Sequence, residues 1–123
     1  MSVEEYAEIL SDFGLTRNEA KVYVATAKLG LASVSRVSKA SGVRREDVYR
    51  MLPKLQKLGL IEKILGKPVK VRATPVEDGL SFLIKQQEEL ASMRLSQLLA
   101  KKSEFLKNFE AYQVKPMERE GDH

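Results

Sequence analysis

Ser33-Val34-Ser35-Arg36-Val37-Ser38-Lys39-Ala40-Ser41-Gly42-Val43-Arg44-Arg45-Glu46-Asp47-Val48-Tyr49-Arg50-Met51-Leu52-Pro53-Lys54-Leu55 is the stretch that decides the fold. Ser33 is an N-cap residue type, placed to open a short helix over Val34–Ala40 with Val37 and Ala40 turned inward. Ser41-Gly42-Val43 breaks that helix after about two turns. A second helix, Arg44–Leu58, then repeats Val48, Leu52 and Leu55 at the i, i+4, i+7 spacing of a buried stripe. Two short helices joined by a three- to four-residue turn with glycine make a helix-turn-helix. Gly42 permits a positive φ in that turn, and Val43 fills the space between the helices. Pro53 forfeits one backbone bond in mid-helix, at a cost of ~3 kcal/mol in a straight helix.

Upstream, Val3–Asp12 reads as a helix with an apolar stripe of Tyr6, Ile9, Leu10 and Phe13, ended by Gly14. Thr16-Arg17-Asn18-Glu19 has the form of a capping box that starts a second helix. This helix runs to Leu29, stops at Gly30 and presents Ala20, Tyr23, Val24 and Ala27 on one side. Leu31-Ala32 is a short segment able to pair with a later hairpin. Downstream of Gly59 the period changes from helix to strand. Leu60–Leu65 and Val69–Ala73 flank a Gly66-Lys67-Pro68 link, with Val69, Val71 and Ala73 alternating against Lys70 and Arg72. This hairpin is a wing. Thr74 as cap and Pro75 in the first turn then open a long helix extending to about Gln113.

The fold class expected is therefore mainly α with a small β-hairpin wing. A winged helix-turn-helix occupies residues 1–75, a long C-terminal dimerisation helix residues 76–113, and a polar, disordered tail residues 114–123. In the long helix, Leu80, Leu83 and Leu90 mark one apolar line. Leu95, Leu98, Phe105, Phe109 and Tyr112 mark a second, shifted by one position near Met93, which predicts a bend, break or stutter. Apolar side chains on such a helix need a partner. A second copy of the chain is expected, with the second line as the dimer seam; the alternative is a fold-back onto the winged domain.

Composition excludes several functions. The chain has 123 residues, no cysteine and a single histidine at the last position, so no thiolate metal site and no thiol nucleophile is available. No nucleophile sits beside a base, no glycine pattern cradles phosphates, and no cluster has metal-ligand spacing, so no enzyme, metal or cofactor is expected. Nothing resembles a leader or an apolar run of ~20 residues, which points to a cytoplasmic protein away from membranes.

The net charge of +4 is unevenly placed. Residues 33–72 carry eleven basic and three acidic side chains, while the segments on either side are each net −2. A positive field confined to one segment suits a polyanion, because duplex binding is driven largely by phosphate neutralisation. The beginning of the second helix of a helix-turn-helix enters the major groove. Arg44, Arg45, Asp47, Tyr49, Arg50 and Lys54 are accordingly the candidate contacts on the recognition helix. Asp47 can accept from a cytosine amino group or orient a neighbouring arginine. Ser33 and Arg36, with Lys63, Lys67, Lys70 and Arg72 on the wing, are candidates for flanking backbone or minor groove. The expected partner is double-stranded DNA; the competing reading is a winged protein-interaction module without specific DNA readout.

Three segments also resemble a known family: Gly14-Leu15-Thr16-Arg17-Asn18-Glu19-Ala20-Lys21-Val22-Tyr23, Ala40 through Leu55, and Leu58-Gly59-Leu60-Ile61-Glu62-Lys63 followed by Gly66 through Pro75. In this order, with the Tyr49-Arg50 pair, the helix-interior Pro53 and the glycine-bracketed wing, residues 10 to 80 are similar to the N-terminal domain of the TrmB family of archaeal transcriptional regulators. The resemblance implies sequence-specific promoter binding by a dimer, commonly in sugar metabolism, with the helix after the wing contributing to dimerisation. Regulators of this family often carry a large C-terminal sugar-binding domain. The residues after 113 are too few to form one, so no small-molecule effector is expected.

Overall fold

The computed structural model describes residues 1–115, and the tail expected to be disordered lies, from residue 116 on, outside the described residues. The chain divides into two units, Met1–Glu88 and Glu89 onward.

The first unit opens with α1 (Val3–Ser11) and α2 (Arg17–Leu29). Each begins with a capping box, Ser2 with Glu5 and Thr16 with Glu19, which satisfies first-turn N–H groups that have no intrahelical acceptor. Of the expected stripe, Leu10 is buried and Phe13 packs against the core, while Tyr6 and Ile9 are exposed and Ala7 is buried in their place. A methyl side chain lets two helices approach where a tyrosine would hold them apart. α2 is the central element: Ala20, Val22, Tyr23, Val24, Ala25 and Thr26 are all buried, so its surroundings close on more than one side.

After α2, β1 (Ala32–Ser33) leads into α3 (Val34–Ser41), and α4 (Arg45–Lys57) follows across the turn. Gly42 is left-handed, with φ 75° and ψ 12°, as the turn requires. Ala40 is exposed; Val34 and Val37 carry the buried face of α3. β2 (Ile61–Ile64) and β3 (Lys70–Ala73) form the wing. The strands are shorter than expected, leaving a five-residue link, Leu65–Val69, with Leu65 at its start 80% exposed. The three strands are antiparallel in the order β1-β3-β2, with Ala32 opposite Val71 and Glu62 opposite Arg72. The short segment before α3 thus does pair with the hairpin.

α5 (Val76–Ala111) is one uninterrupted helix of 36 residues, so the expected break near Met93 is absent. The Thr74 hydroxyl does not cap it; it donates to the Gly59 carbonyl and ties the wing's exit to its start. Within the first unit, Gly79 and Leu83 are the buried residues of α5. Gly79 is there for space, since a methyl group at this position would overlap the Tyr23 hydroxyl. In the second unit every residue from Glu89 to Lys115 is exposed.

The Tyr23 hydroxyl is buried and has no hydrogen-bond partner among the described residues, and burial raises its pKa. An unsatisfied buried polar group costs about 1–3 kcal/mol. Tyr23→Phe is expected to leave urea-unfolding stability unchanged or raise it by about 1 kcal/mol. Gly79→Ala is expected to cost about 1–3 kcal/mol through overpacking, and less when combined with Tyr23→Phe. A clear loss in Tyr23→Phe would mean that the hydroxyl does find a partner.

Candidate nucleic-acid interface

The turn between α3 and α4 is stapled by serines. The Ser38 hydroxyl donates to the Val43 carbonyl at 2.6 Å, and the Ser41 hydroxyl accepts from the Val43 N–H at 3.2 Å. Val43 itself is buried. These bonds satisfy backbone groups that the break between helices would otherwise orphan. Sequence reasoning missed them, although Ser-x-x-Ser before a glycine turn is a visible signal.

With the turn held, α4 buries Val48, Leu52 and Leu55 and turns two exposed lines outward, Arg45-Tyr49-Pro53-Gln56 and Glu46-Arg50-Lys54-Lys57. Pro53 lies on the first, exposed line, so the Tyr49 carbonyl that loses its i+4 donor lies on a side of the helix that solvent can reach. Arg44 is the N-cap residue of α4 and makes no side-chain capping bond, unlike Ser2, Thr16 and Ser33 at the other short helices. The first turn of α4 is therefore served by no N-cap side chain; Glu46 and Asp47 lie within it, at the positive end of the helix dipole.

The charged groups are not equally available. Arg50 donates to Asp47 at 2.9 Å on the outer face of α4, so Asp47 orients the guanidinium. Arg44 pairs with Glu46 at 3.4 Å. The Glu46 carboxyl is held below its ordinary pKa first by its own backbone N–H and then by Arg44. Arg72 pairs with Glu62 directly opposite on the wing at 2.6 Å. Lys54 reaches away from the outer face to Glu19 of α2, at 3.1 and 2.9 Å from its two oxygens. Glu19 is almost fully buried and also closes the Thr16 capping box. Ser33 is engaged as the N-cap of α3, accepting from the Arg36 N–H at 3.2 Å. Arg36, Arg45, Lys63, Lys67 and Lys70 form no ion pair among the described residues. Arg44, Arg45, Asp47, Tyr49 and Arg50 thus share the opening turns of one helix, Lys63, Lys67, Lys70 and Arg72 share the wing, and Lys54 is drawn into the link between α2 and α4.

Among the described residues no group of three or more His, Cys, Asp or Glu is placed to hold a metal, and no helix is long and apolar enough to cross a membrane.

A helical core, a stapled turn, an outward basic helix and a three-stranded wing define a winged helix-turn-helix of the kind found in DNA-binding transcriptional regulators. A family model for the sugar-specific transcriptional regulator TrmB matches residues 10–77, more than half of the chain. The chain belongs to the TrmB family. It is 34% identical over 68 residues to the HTH-type sugar sensing transcriptional regulator TrmBL1 of Pyrococcus furiosus. That match spans 55% of this chain but 20% of the relative. Among solved structures, TrmBL2, an archaeal chromatin protein with a novel mode of DNA binding, aligns at TM-score 0.81 and 25% identity. The alignment covers 94% of this chain and 44% of TrmBL2. A MarR-family regulator from Silicibacter pomeroyi, SPO1453, shares the fold at TM-score 0.51 and 19% identity, over 78% of this chain and 69% of its own. The family and fold are those of DNA-binding transcriptional regulators rather than of enzymes.

The Glu19–Lys54 pair yields a stability prediction. Burial pushes the Glu19 pKa up, but the Thr16 N–H and the Lys54 ammonium outweigh it, and the net shift is below the ordinary 4.5. A depressed carboxylate pKa stabilises the fold above the unfolded value and ceases to do so as pH falls through the folded one. Lys54→Met strands a nearly buried carboxylate and is expected to cost about 1–3 kcal/mol near pH 7. Denaturant titrations from pH 7 to pH 3 should show the gap between wild type and variant closing in the acid range. A gap independent of pH would assign the loss to packing of the lysine stem.

Proposed function

We propose that this chain binds double-stranded DNA sequence-specifically as a homodimeric, cytoplasmic transcriptional regulator. Recognition helix 44–58 lies in the major groove and wing 60–73 lies on flanking backbone or minor groove. The observation that carries this reading is the outer face of α4, where Arg44, Arg45, Tyr49 and Arg50 stand exposed opposite the buried Val48–Leu52–Leu55 stripe. An arginine held by Asp47 presents a fixed fork to a guanine edge, while Arg45, which has no acidic partner among the described residues, suits a phosphate. Arg36, Lys63, Lys67 and Lys70 supply unpaired cations around that helix for backbone contacts.

The homodimer part of the proposal assigns the seam to Leu95, Leu98, Phe105, Phe109 and Tyr112, all exposed in the single chain. Two recognition helices related by a two-fold axis read a site twice as long as one does, with half-sites ~34 Å apart or a multiple of it. Sedimentation at micromolar concentration is expected to give a dimer, and a strict monomer would remove the seam from the proposal.

Selection of bound duplexes from a random pool is expected to return one preferred, palindromic site. On that site Arg50→Ala should cost ~1–3 kcal/mol, with a much smaller loss on random duplex. Lys67→Ala and Lys70→Ala should weaken both duplexes alike and flatten the dependence of log affinity on log salt by about one unit each. Equal losses from Arg50→Ala on both duplexes would move Arg50 to the backbone class. Binding to duplex without a steep salt slope would favour the protein-interaction module.

A further inference from the structure

The second unit carries more than an apolar surface; it carries a direction. From residue 95 one line carries Leu95, Leu98, Lys102, Phe105 and Phe109 of α5 and then Tyr112, one residue past its end, at the alternating spacing of three and four that marks the a and d positions of a coiled coil. Leu99 and Leu106 flank this line on one side, and Lys101 and Asn108 on the other. All are exposed. We propose, building on the homodimer reading above, that the partner of this face is the same face of a second copy running antiparallel, with the two-fold axis between Ser103 and Glu104.

Three features of the line set the direction. Its first half is leucine, leucine and lysine, and its second half is phenylalanine, phenylalanine and tyrosine. Parallel copies would stack like on like, with leucine pairs at one end and paired rings at the other, a taper that a seam of constant spacing cannot pack at uniform density. Antiparallel copies make each layer from one aliphatic chain and one ring: Leu95 with Tyr112, Leu98 with Phe109, Lys102 with Phe105, each occurring twice.

Charge agrees with volume. In a parallel pair Lys102 meets its own copy inside the seam, two like charges with no carboxylate on the line to relieve them. Turned antiparallel, each Lys102 lies across from Phe105 of the other copy, where its stem covers the ring and its ammonium reaches either the ring face or water. Phe105 and Phe109 are already stacked along the helix, with centroids 5.7 Å apart and planes 10° from parallel, so they form one continuous ridge for Leu98 and Lys102 to cover.

The flanks give the third reason. Parallel pairing sets the flanking leucines against cations of the opposite flank, Leu99 against Arg94 and Leu106 against Lys101. Reversal brings like flanks together: Leu99 faces Leu106 on one side and Lys101 faces Asn108 on the other. The apolar seam is widened where it is apolar and left polar where it is polar.

The chain has no cysteine, so Ser92→Cys and Ser103→Cys each accept a single spin label. In the intact protein, pulsed electron–electron distances between copies should be about 35 Å at position 92, which corresponds to ~23 residues of helical rise. At position 103, beside the axis, they should be within about 20 Å. Short distances at both positions would overturn the antiparallel register while leaving a homodimer. No dipolar coupling at either, with a monomer in sedimentation, would overturn the register and the homodimer together. Affinity for the selected duplex, measured on the same labelled samples, reports separately on the DNA reading, so a failure there is distinguishable from a failure of the seam.

Discussion

Gly42 holds a left-handed backbone that a residue with a side chain adopts only at a cost of roughly 1–2 kcal/mol. Behind it Val43 is buried, its N–H and carbonyl both occupied by serine hydroxyls of α3. The angle between α3 and α4 follows from that fixed turn, and the outer face of α4 follows from the angle. Rotating α4 by one residue about its axis, ~100°, would bury Tyr49 or Arg45 in place of Val48, Leu52 and Leu55. The core therefore determines which side chains remain for a partner. The buried stripe and the exposed basic face share one helix without sharing residues.

The same separation governs charge. Residues 33–72 hold eleven basic side chains, and among the described residues four of them are in ion pairs: Arg44, Arg50, Lys54 and Arg72. Two of those pairs, Arg44–Glu46 and Arg72–Glu62, are exposed at both ends and contribute little to stability, ~0–1 kcal/mol each. Their acidic partners instead restrain the arginines and lower the local field. Lys54 differs, because its partner Glu19 is almost fully buried and is also the capping-box glutamate of α2. A lysine that reads from the sequence as part of the basic face thus joins the central helix to the second helix of the motif.

Much of this was legible in the sequence where the signal is local. Capping at Thr16, the glycine turn, the Val48–Leu52–Leu55 stripe and the alternation in the second wing strand are periodicities or short motifs, and the elements formed where those signals lay. Contacts between distant segments were not legible. Ala7 replaced Tyr6 and Ile9 on the buried face of α1 because helix separation, which no residue of α1 encodes alone, decides whether methyl or ring fits. Thr74 looked like a helix cap and bonds Gly59 instead, since the wing closes fifteen residues around it. Glu19 and Lys54 lie 35 residues apart, and nothing in either local pattern links them. Among the candidate contacts, the outward placement of Arg45, Tyr49 and Arg50 followed from the stripe opposite them, whereas the occupation of Lys54, Ser33 and Arg72 by neighbours came only with the fold.

The second unit presents the opposite situation, a regular element without a core. An isolated helix of some twenty residues is marginal in water, and most helical stability in proteins comes from packing an apolar face. Between Glu89 and Ala111 no side chain of α5 is buried, so that packing is not supplied among the described residues of the second unit. In the proposed dimer it is supplied by the other copy, and helix formation there is coupled to association. The free energy of the seam then depends on protein concentration, as it does for any assembly in which the folded form of a segment is the bound form. In the proposed complex DNA affinity inherits that dependence, because a two-fold site would be read only by paired recognition helices. Below the concentration at which copies pair, that proposal has the winged unit folded on its own core but contacting half a site. Loss of the aromatic ridge would in this view weaken binding to a palindrome far more than binding to a single half-site.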